Sequence, residues 1–239
     1  MYSNWGLAIN SAGDIFIDNT ATDTTGQFAI EELNPATGVF TTFASSATNP
    51  ELTVPYHMAF GANGDLYVTT TGGNGIQVYS PTGALISNGL GQTAFNTHNA
   101  TGVITGLGIA IQPGTGNIFV SDIANASVLE YTSAGVFIGR ISGTPNVNSP
   151  YALAFDSFGE LYVVNDGSDT VAKFNPTTLT FDGDFTTVAA NGAGNIGPLG
   201  IIFASAVTPE PSTGPVLMIG IGLLLGVQCF RRTRKPLGS

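Results

Sequence analysis

Four copies of one strand–turn–strand pattern constrain this chain more than any other feature. Pro150-Tyr-Ala-Leu-Ala-Phe-Asp-Ser-Phe-Gly-Glu-Leu-Tyr-Val-Val164 reads as an apolar strand, a glycine turn, then a strand of alternating aromatic and β-branched residues. The same order of residue types stands at Pro55-Tyr-His-Met-Ala-Phe-Gly-Ala-Asn-Gly-Asp-Leu-Tyr-Val68, at Leu107-Gly-Ile-Ala-Ile-Gln-Pro-Gly-Thr-Gly-Asn-Ile-Phe-Val120 and at Trp5-Gly-Leu-Ala-Ile-Asn-Ser-Ala-Gly-Asp-Ile-Phe-Ile17. The turn glycines Gly13, Gly64, Gly116 and Gly159 are 51, 52 and 43 residues apart. A repeat of this period marks a supersecondary unit that cannot bury its faces alone and stacks on its neighbours.

Each copy continues into a third strand and a second turn. These are Ala29–Leu33 before Asn34-Pro-Ala-Thr-Gly38, Ile76–Tyr79 before Ser80-Pro-Thr-Gly83, Val128–Tyr131 before Thr132-Ser-Ala-Gly135, and Val171–Phe174 before Asn175-Pro-Thr-Thr178. Proline early in a turn and glycine late in it supply the backbone angles of a tight reversal. A weaker fourth strand is expected at Val39–Phe43, Ala84–Ile86, Val136–Ile138 and Phe181–Phe185. Four antiparallel strands per unit describe the blades of a β-propeller, because sheets set around an axis bury one another's faces. The expected fold is therefore all-β, with blades at about 5–54, 55–105, 106–149 and 150–197 in a domain spanning 1–206. Met58, Ala59, Phe60, Leu153, Ala154, Phe155, Tyr67, Phe119 and Tyr162 belong to its packing rather than to a site.

Charge and cysteine content exclude several functions. Only 9% of the 239 residues are charged, and residues 1–230 carry two bases against all sixteen acids. A surface that negative repels phosphate backbones, so nucleic acid is not an expected partner. The single cysteine, Cys229, excludes an internal disulfide and a cysteine-rich zinc site. No Gly-x-Ser-x-Gly elbow, phosphate loop or His-Glu-x-x-His helix is present.

The repeats end their second strands in Phe16-Ile-Asp18, Phe119-Val-Ser-Asp122 and Tyr162-Val-Val-Asn-Asp166, and in this they resemble the NHL and SMP-30/gluconolactonase-like propellers over residues 5–203. The second repeat departs, with Thr70 near the place of the aspartate. The resemblance implies one enzymatic role, Ca²⁺-dependent hydrolysis of a lactone, with Asp18, Asp122 and Asp166 as oxygen ligands gathered from equivalent blade positions. The other reading is that these acids cap turns by accepting backbone N–H bonds. Asn165-Asp-Gly-Ser-Asp169 has calcium-loop spacing without the distal Glu, and Asp182-Gly-Asp184 is weaker still. His57 and His98 are the only histidines; His57, just before an innermost strand, is a candidate for the axial pocket.

A fifth repeat starts at Pro198-Leu-Gly-Ile-Ile-Phe203, a partial blade at 198–204. Trp5–Ile9 is already the first strand of a blade, with nothing ahead of it to complete the fifth. The expectation is a longer protein, truncated here at its N-terminus and six-bladed when whole.

Beyond the repeats stand Pro209, Glu210 and Pro211, then seventeen uncharged residues at 214–230, then Arg231, Arg232, Arg234 and Lys235. At about 1.5 Å per residue the apolar stretch spans roughly 26 Å, enough for a bilayer core. The basic cluster sets the C-terminus in the cytoplasm and the repeats outside. Cys229, near the inner end of this helix, reads as a small apolar filler. Pro-Glu-Pro, an apolar helix and an arginine cluster, in that order across 207–235, resemble a PEP-CTERM sorting signal. That resemblance implies a Gram-negative bacterium, an exosortase as processing partner, membrane anchoring, and delivery to the cell surface or medium alongside extracellular polysaccharide. The sequence thus favours an exported binding or structural propeller, with the Ca²⁺-dependent hydrolase as the alternative.

Overall fold

The computed structural model describes residues 6–19, 27–70, 75–86, 94–95, 106–187 and 201. Among these residues sixteen strands form four four-stranded antiparallel sheets, each a simple meander. Sheet 1 holds β1 (Leu7–Ile9), β2 (Ile15–Asn19), β3 (Ala29–Asn34) and β4 (Val39–Ser45). Sheet 2 holds β5 (Pro55–Phe60), β6 (Leu66–Thr70), β7 (Ile76–Tyr79) and β8 (Ala94–Phe95). Sheet 3 comprises β9 (Gly106–Ile111), β10 (Ile118–Asp122), β11 (Ser127–Tyr131) and β12 (Phe137–Ile141). Sheet 4 comprises β13 (Pro150–Phe155), β14 (Leu161–Asn165), β15 (Thr170–Asn175) and β16 (Thr180–Thr187). The glycines between first and second strands, Gly13, Gly64, Gly116 and Gly159, have φ of 91°, 84°, 73° and 83°, which is why glycine recurs there.

One expected strand is corrected. Ala84–Ile86 is not a strand; Leu85 makes only an isolated bridge to Tyr79, and β7 pairs instead with Ala94–Phe95. Both partners cover part of β7, so the edge of sheet 2 is divided between two segments.

Pairing registers fix which residues correspond. Ala8 pairs with Phe16, Ala59 with Tyr67, Ala110 with Phe119 and Ala154 with Tyr162. The residues one place earlier are Leu7, Met58, Ile109 and Leu153. Met58 joins the cluster of Phe16 and Ile30 from sheet 1, Ile109 that of Tyr67, Ile76 and Val78 from sheet 2, and Leu153 that of Phe119 and Val128 from sheet 3. Each inner strand therefore seats a side chain on the sheet before it. The inner strands stand in order, β1 beside β5, β5 beside β9 and β9 beside β13, and among the described residues no contact of like extent returns from β13 to β1. Among the described residues the sheets form an arc with two ends.

The ends differ. Ile201, in the fifth repeat at the place of Leu153, packs on Ala152, Tyr162, Val164 and Val171 of sheet 4. At the other end Leu7 is 59% exposed and Ile9 57%, whereas Met58, Ile109 and Leu153 are 7%, 6% and 7% exposed. Leu7–Ile17 and Ile9–Ile15–Leu33–Phe40 form the apolar rows of that face of sheet 1.

Candidate functional site

The inner strands of sheets 2 and 4, β5 and β13, both open on Pro-Tyr. Tyr56 on β5 and Tyr151 on β13 join hydroxyl to hydroxyl by a hydrogen bond, although their sheets are not adjacent. Their rings meet edge to face at 5.9 Å and 70°. His57 lies flat beside Tyr56 at 5.4 Å and 9°, and edge-on to Tyr151 at 6.2 Å and 79°. His57 thus sits inside β5, not ahead of it. Burial lowers its pKa to about 4, so the imidazole is neutral at pH 7. Three rings occupy the middle of the arc. Sequence reasoning singled out His57 and passed over both tyrosines, whose shared Pro-Tyr opening was the available signal.

The three aspartates do not share a position, which corrects the expectation from the sequence. Counting from the alanine-paired aromatic, Asp18 corresponds to Thr69, Ser121 and Val164, while Asp122 corresponds to Asn19, Thr70 and Asn165. Asp166 lies one residue further. A one-residue slip along a strand turns a side chain to the opposite face, so strand-terminal acids need not converge.

Each acid has a local role instead. Asp18 is fully buried, and its Oδ1 accepts the Gly6 N–H at 2.6 Å. Asp122 is also fully buried; its Oδ2 accepts from Asn125 Nδ2 at 2.7 Å, and Oδ1 has no hydrogen-bond partner among the described residues. The corresponding Asn165 shows what this position does, since it holds the loop entering sheet 4. Its Oδ1 accepts the Asn148 N–H at 3.0 Å and its Nδ2 donates to the Asn146 carbonyl at 2.9 Å.

Asp166 opens the β14–β15 turn, its backbone N–H donating to the Ser149 carbonyl at 3.1 Å. Asp169 closes that turn at φ 54°, as Ala126 does at 44° in sheet 3, so Asn165–Asp169 is a hairpin reversal. Asp182 and Asp184 lie within β16, and Asp182 meets Lys173 at 3.0 Å. Among the described residues no three or more His, Cys, Asp or Glu are grouped to hold a metal ion. His98, Pro209, Glu210, Pro211, the helix expected at 214–230 and the basic residues 231, 232, 234 and 235 lie outside the described residues. Among the described residues no helix is long and apolar enough to cross a membrane.

Comparison with known proteins agrees with both halves of this picture. Residues 207–235 match the PEP-CTERM protein-sorting motif. The motif implies processing by an exosortase and marks an exported protein anchored through its C-terminus at the cell envelope. No curated protein matches the chain by sequence. Among solved structures, selenomethionine-substituted virginiamycin B lyase from Staphylococcus aureus superposes with a TM-score of 0.61 at 16% identity, over 83% of this chain and 59% of the lyase. A streptogramin B lyase gives 0.58 at 18%, over 83% and 58%. A nidogen/laminin complex gives 0.59 at 18%, over 83% and 67%. At these identities the likeness shows the propeller fold alone. The chain spans less than two thirds of the length of the two lyases.

Proposed function

We propose that this protein is a surface-displayed propeller, a binding or structural module of the extracellular matrix that an exosortase cuts near Pro209-Glu210-Pro211. The observation that carries the reading is the sorting motif at 207–235 on a propeller ectodomain. Two features of the fold support it. The middle of the arc holds the rings of Tyr56, His57 and Tyr151, and the buried acids bond to backbone and amide groups of their own sheets. Extracellular polysaccharide is the partner class that the sorting route suggests.

The same reading assigns a cover to the apolar face of sheet 1. That face is the one on which sheets 2, 3 and 4 receive the sheet before them, and a further sheet of the same repeat would seat Leu7 as Met58, Ile109 and Leu153 are seated. Such a sheet belongs to a longer ring of about six blades.

The test is the intact mass of the native protein from envelope and medium fractions, with and without the host's exosortase. The expected species ends between residues 207 and 213 only when the exosortase is present, and begins upstream of Met1. An uncut C-terminus in both strains would reduce the tail to a plain anchor. Lactone hydrolysis abolished by a chelator and restored by Ca²⁺ would replace the binding reading with the hydrolase.

A further inference from the structure

The entries to sheets 2 and 4 share more than Pro-Tyr. Val54 and Ser149, immediately before Pro55 and Pro150, stand at φ 42° and 48°. A left-handed backbone disfavours residues with a Cβ, and a β-branched valine most of all. The following proline restricts the same residue again. Two places upstream, Leu52 and Val147 are buried in the clusters between sheets 1 and 2 and between sheets 3 and 4, and they pin each loop.

Directly after each proline the strand bulges. One extra residue stands between Pro55 and Met58 and between Pro150 and Ala152, and a bulge re-aims the side chains it contains. Sheet 3 bulges at the same place, between Gly106 and Ile109, and puts the buried Leu107 there. The rings of Tyr56 and Tyr151 meet across β9, which lies between their strands. Each is delivered by a strained entry and a bulge. Strain of this kind persists where the surrounding structure holds it, and it gathers at binding sites.

His57 is the odd residue of its position. Counted from the paired alanines, its counterparts on the other inner strands are Gly6, Gly108 and Ala152. Only sheet 2 carries a polar side chain there. The His57 backbone N–H donates to Thr69 Oγ1 at 3.0 Å. The imidazole touches both tyrosine rings, and neither of its nitrogens hydrogen-bonds a described residue. Burial keeps it neutral at pH 7. A neutral imidazole has one donor and one acceptor, and leaving both unmatched in a desolvated place is costly.

The chemistry of the cluster selects its ligand. A sugar hydroxyl is donor and acceptor at once, so it matches both imidazole nitrogens. The C–H face of a sugar ring is apolar surface for a phenol ring to cover. A carboxylate or sulfate would need a cation instead. The two bases of residues 1–230, Arg140 and Lys173, stand on β12 and β15 and not on an inner strand. The sixteen acids repel an anionic chain as they repel nucleic acid.

We propose that Tyr56, His57 and Tyr151 form a binding site for an uncharged sugar unit, with Val54 and Ser149 as the residues that position the two tyrosines. This rests on the reading of the protein as a matrix-binding module and narrows its partner to a neutral polysaccharide.

The test uses the full chain and the host's extracellular polysaccharide, separated by anion exchange into uncharged and acidic fractions. Binding of each fraction is measured by calorimetry for the native chain, H57A and Y151F; alanine is what sheet 4 carries at the His57 position. The expected result is that the native chain binds the uncharged fraction and that each variant weakens this by about tenfold or more. The imidazole ¹⁵N resonances should move when that fraction is added. Val54→Gly should raise the urea midpoint and still weaken binding, because relieving the strain loosens Tyr56; undiminished binding would remove the positioning role. Preference for the acidic fraction, or uncharged binding that H57A and Y151F leave intact, would overturn this site while the binding reading stands. Binding of neither fraction would overturn both. If both variants failed to fold, unmoved imidazole resonances in the native chain would decide against the site.

Discussion

The two ends of the arc are written in the same residues and finish in different states. Sheet 4 carries Ile201 on Tyr162, Val164 and Val171, while sheet 1 offers Leu7, Ile9 and Phe40 to solvent. Leu7 and Leu153 occupy one register position, and what separates them is only whether a sheet lies in front. Burial in a repeat fold is thus a property of the neighbour more than of the residue. An apolar side chain contributes where the next unit takes it out of water.

The largest expected effect tests this directly. Leu153→Ala opens a cavity between sheets 3 and 4 and should cost about 2–5 kcal/mol in urea unfolding. Leu7→Ala on an uncovered face should stay within about 0.5 kcal/mol. Equal costs at the two positions would show that sheet 1 is covered in the protein under test. That result would place a further sheet in front of sheet 1.

His57 supplies the next effect, where the rings of sheets 2 and 4 meet. Its pKa is lowered from 6.5 to about 4, so between those values the unfolded chain binds the extra proton. Stability is full above pH 6.5 and declines as pH falls, by about 3 kcal/mol at pH 4. His57→Phe should abolish that acid-side slope, while a slope that persisted would point to other groups. Gly108→Ala comes third. Its Cβ meets the Tyr151 carbonyl, and overpacking of this kind costs about 1–3 kcal/mol. Gly6→Ala should match it, because the Tyr56 carbonyl stands in the same relation; a smaller cost would mean that sheet 1 yields where sheet 3 does not.

Much of this was legible in the residues, for a physical reason. Strand–turn–strand grammar is local: Pro55–Phe60 and Pro150–Phe155 are the inner strands as read, and the four glycines sit at positive φ as their turns require. What depends on register or on curvature was not legible. Asp18, Asp122 and Asp166 looked equivalent because each ends an aromatic-initiated strand, yet one residue of pleat separates each from the next. Tyr56 meets Tyr151 across 95 residues of sequence because the sheets bend toward an axis, and no spacing encodes that bend. In sheet 2 the edge strand β8 lies beyond the turn that suggested Ala84–Ile86, where Leu85 makes only an isolated bridge.

The smallest effect lies on the second-strand-facing side of β15. Lys173 pairs across from Tyr162, as Glu32 pairs across from Phe16 in sheet 1, so the two residues share a position with opposite charge. Lys173 contacts Asp182 at 3.0 Å and Glu160 at 3.8 Å, and the hydrogen bond to Asp182 is the main cause of its raised pKa. The contribution is present at neutral pH and is lost only as pH rises through that raised value. Water and salt screen an exposed pair strongly, so Lys173→Met should lower the unfolding midpoint less than Leu153→Ala or Gly108→Ala. The loss should vanish in high salt. A loss that survived high salt would mean that something covers this face and shields the pair, which would place a fifth sheet over sheet 4 as firmly as an equal cost at Leu7 would place one over sheet 1.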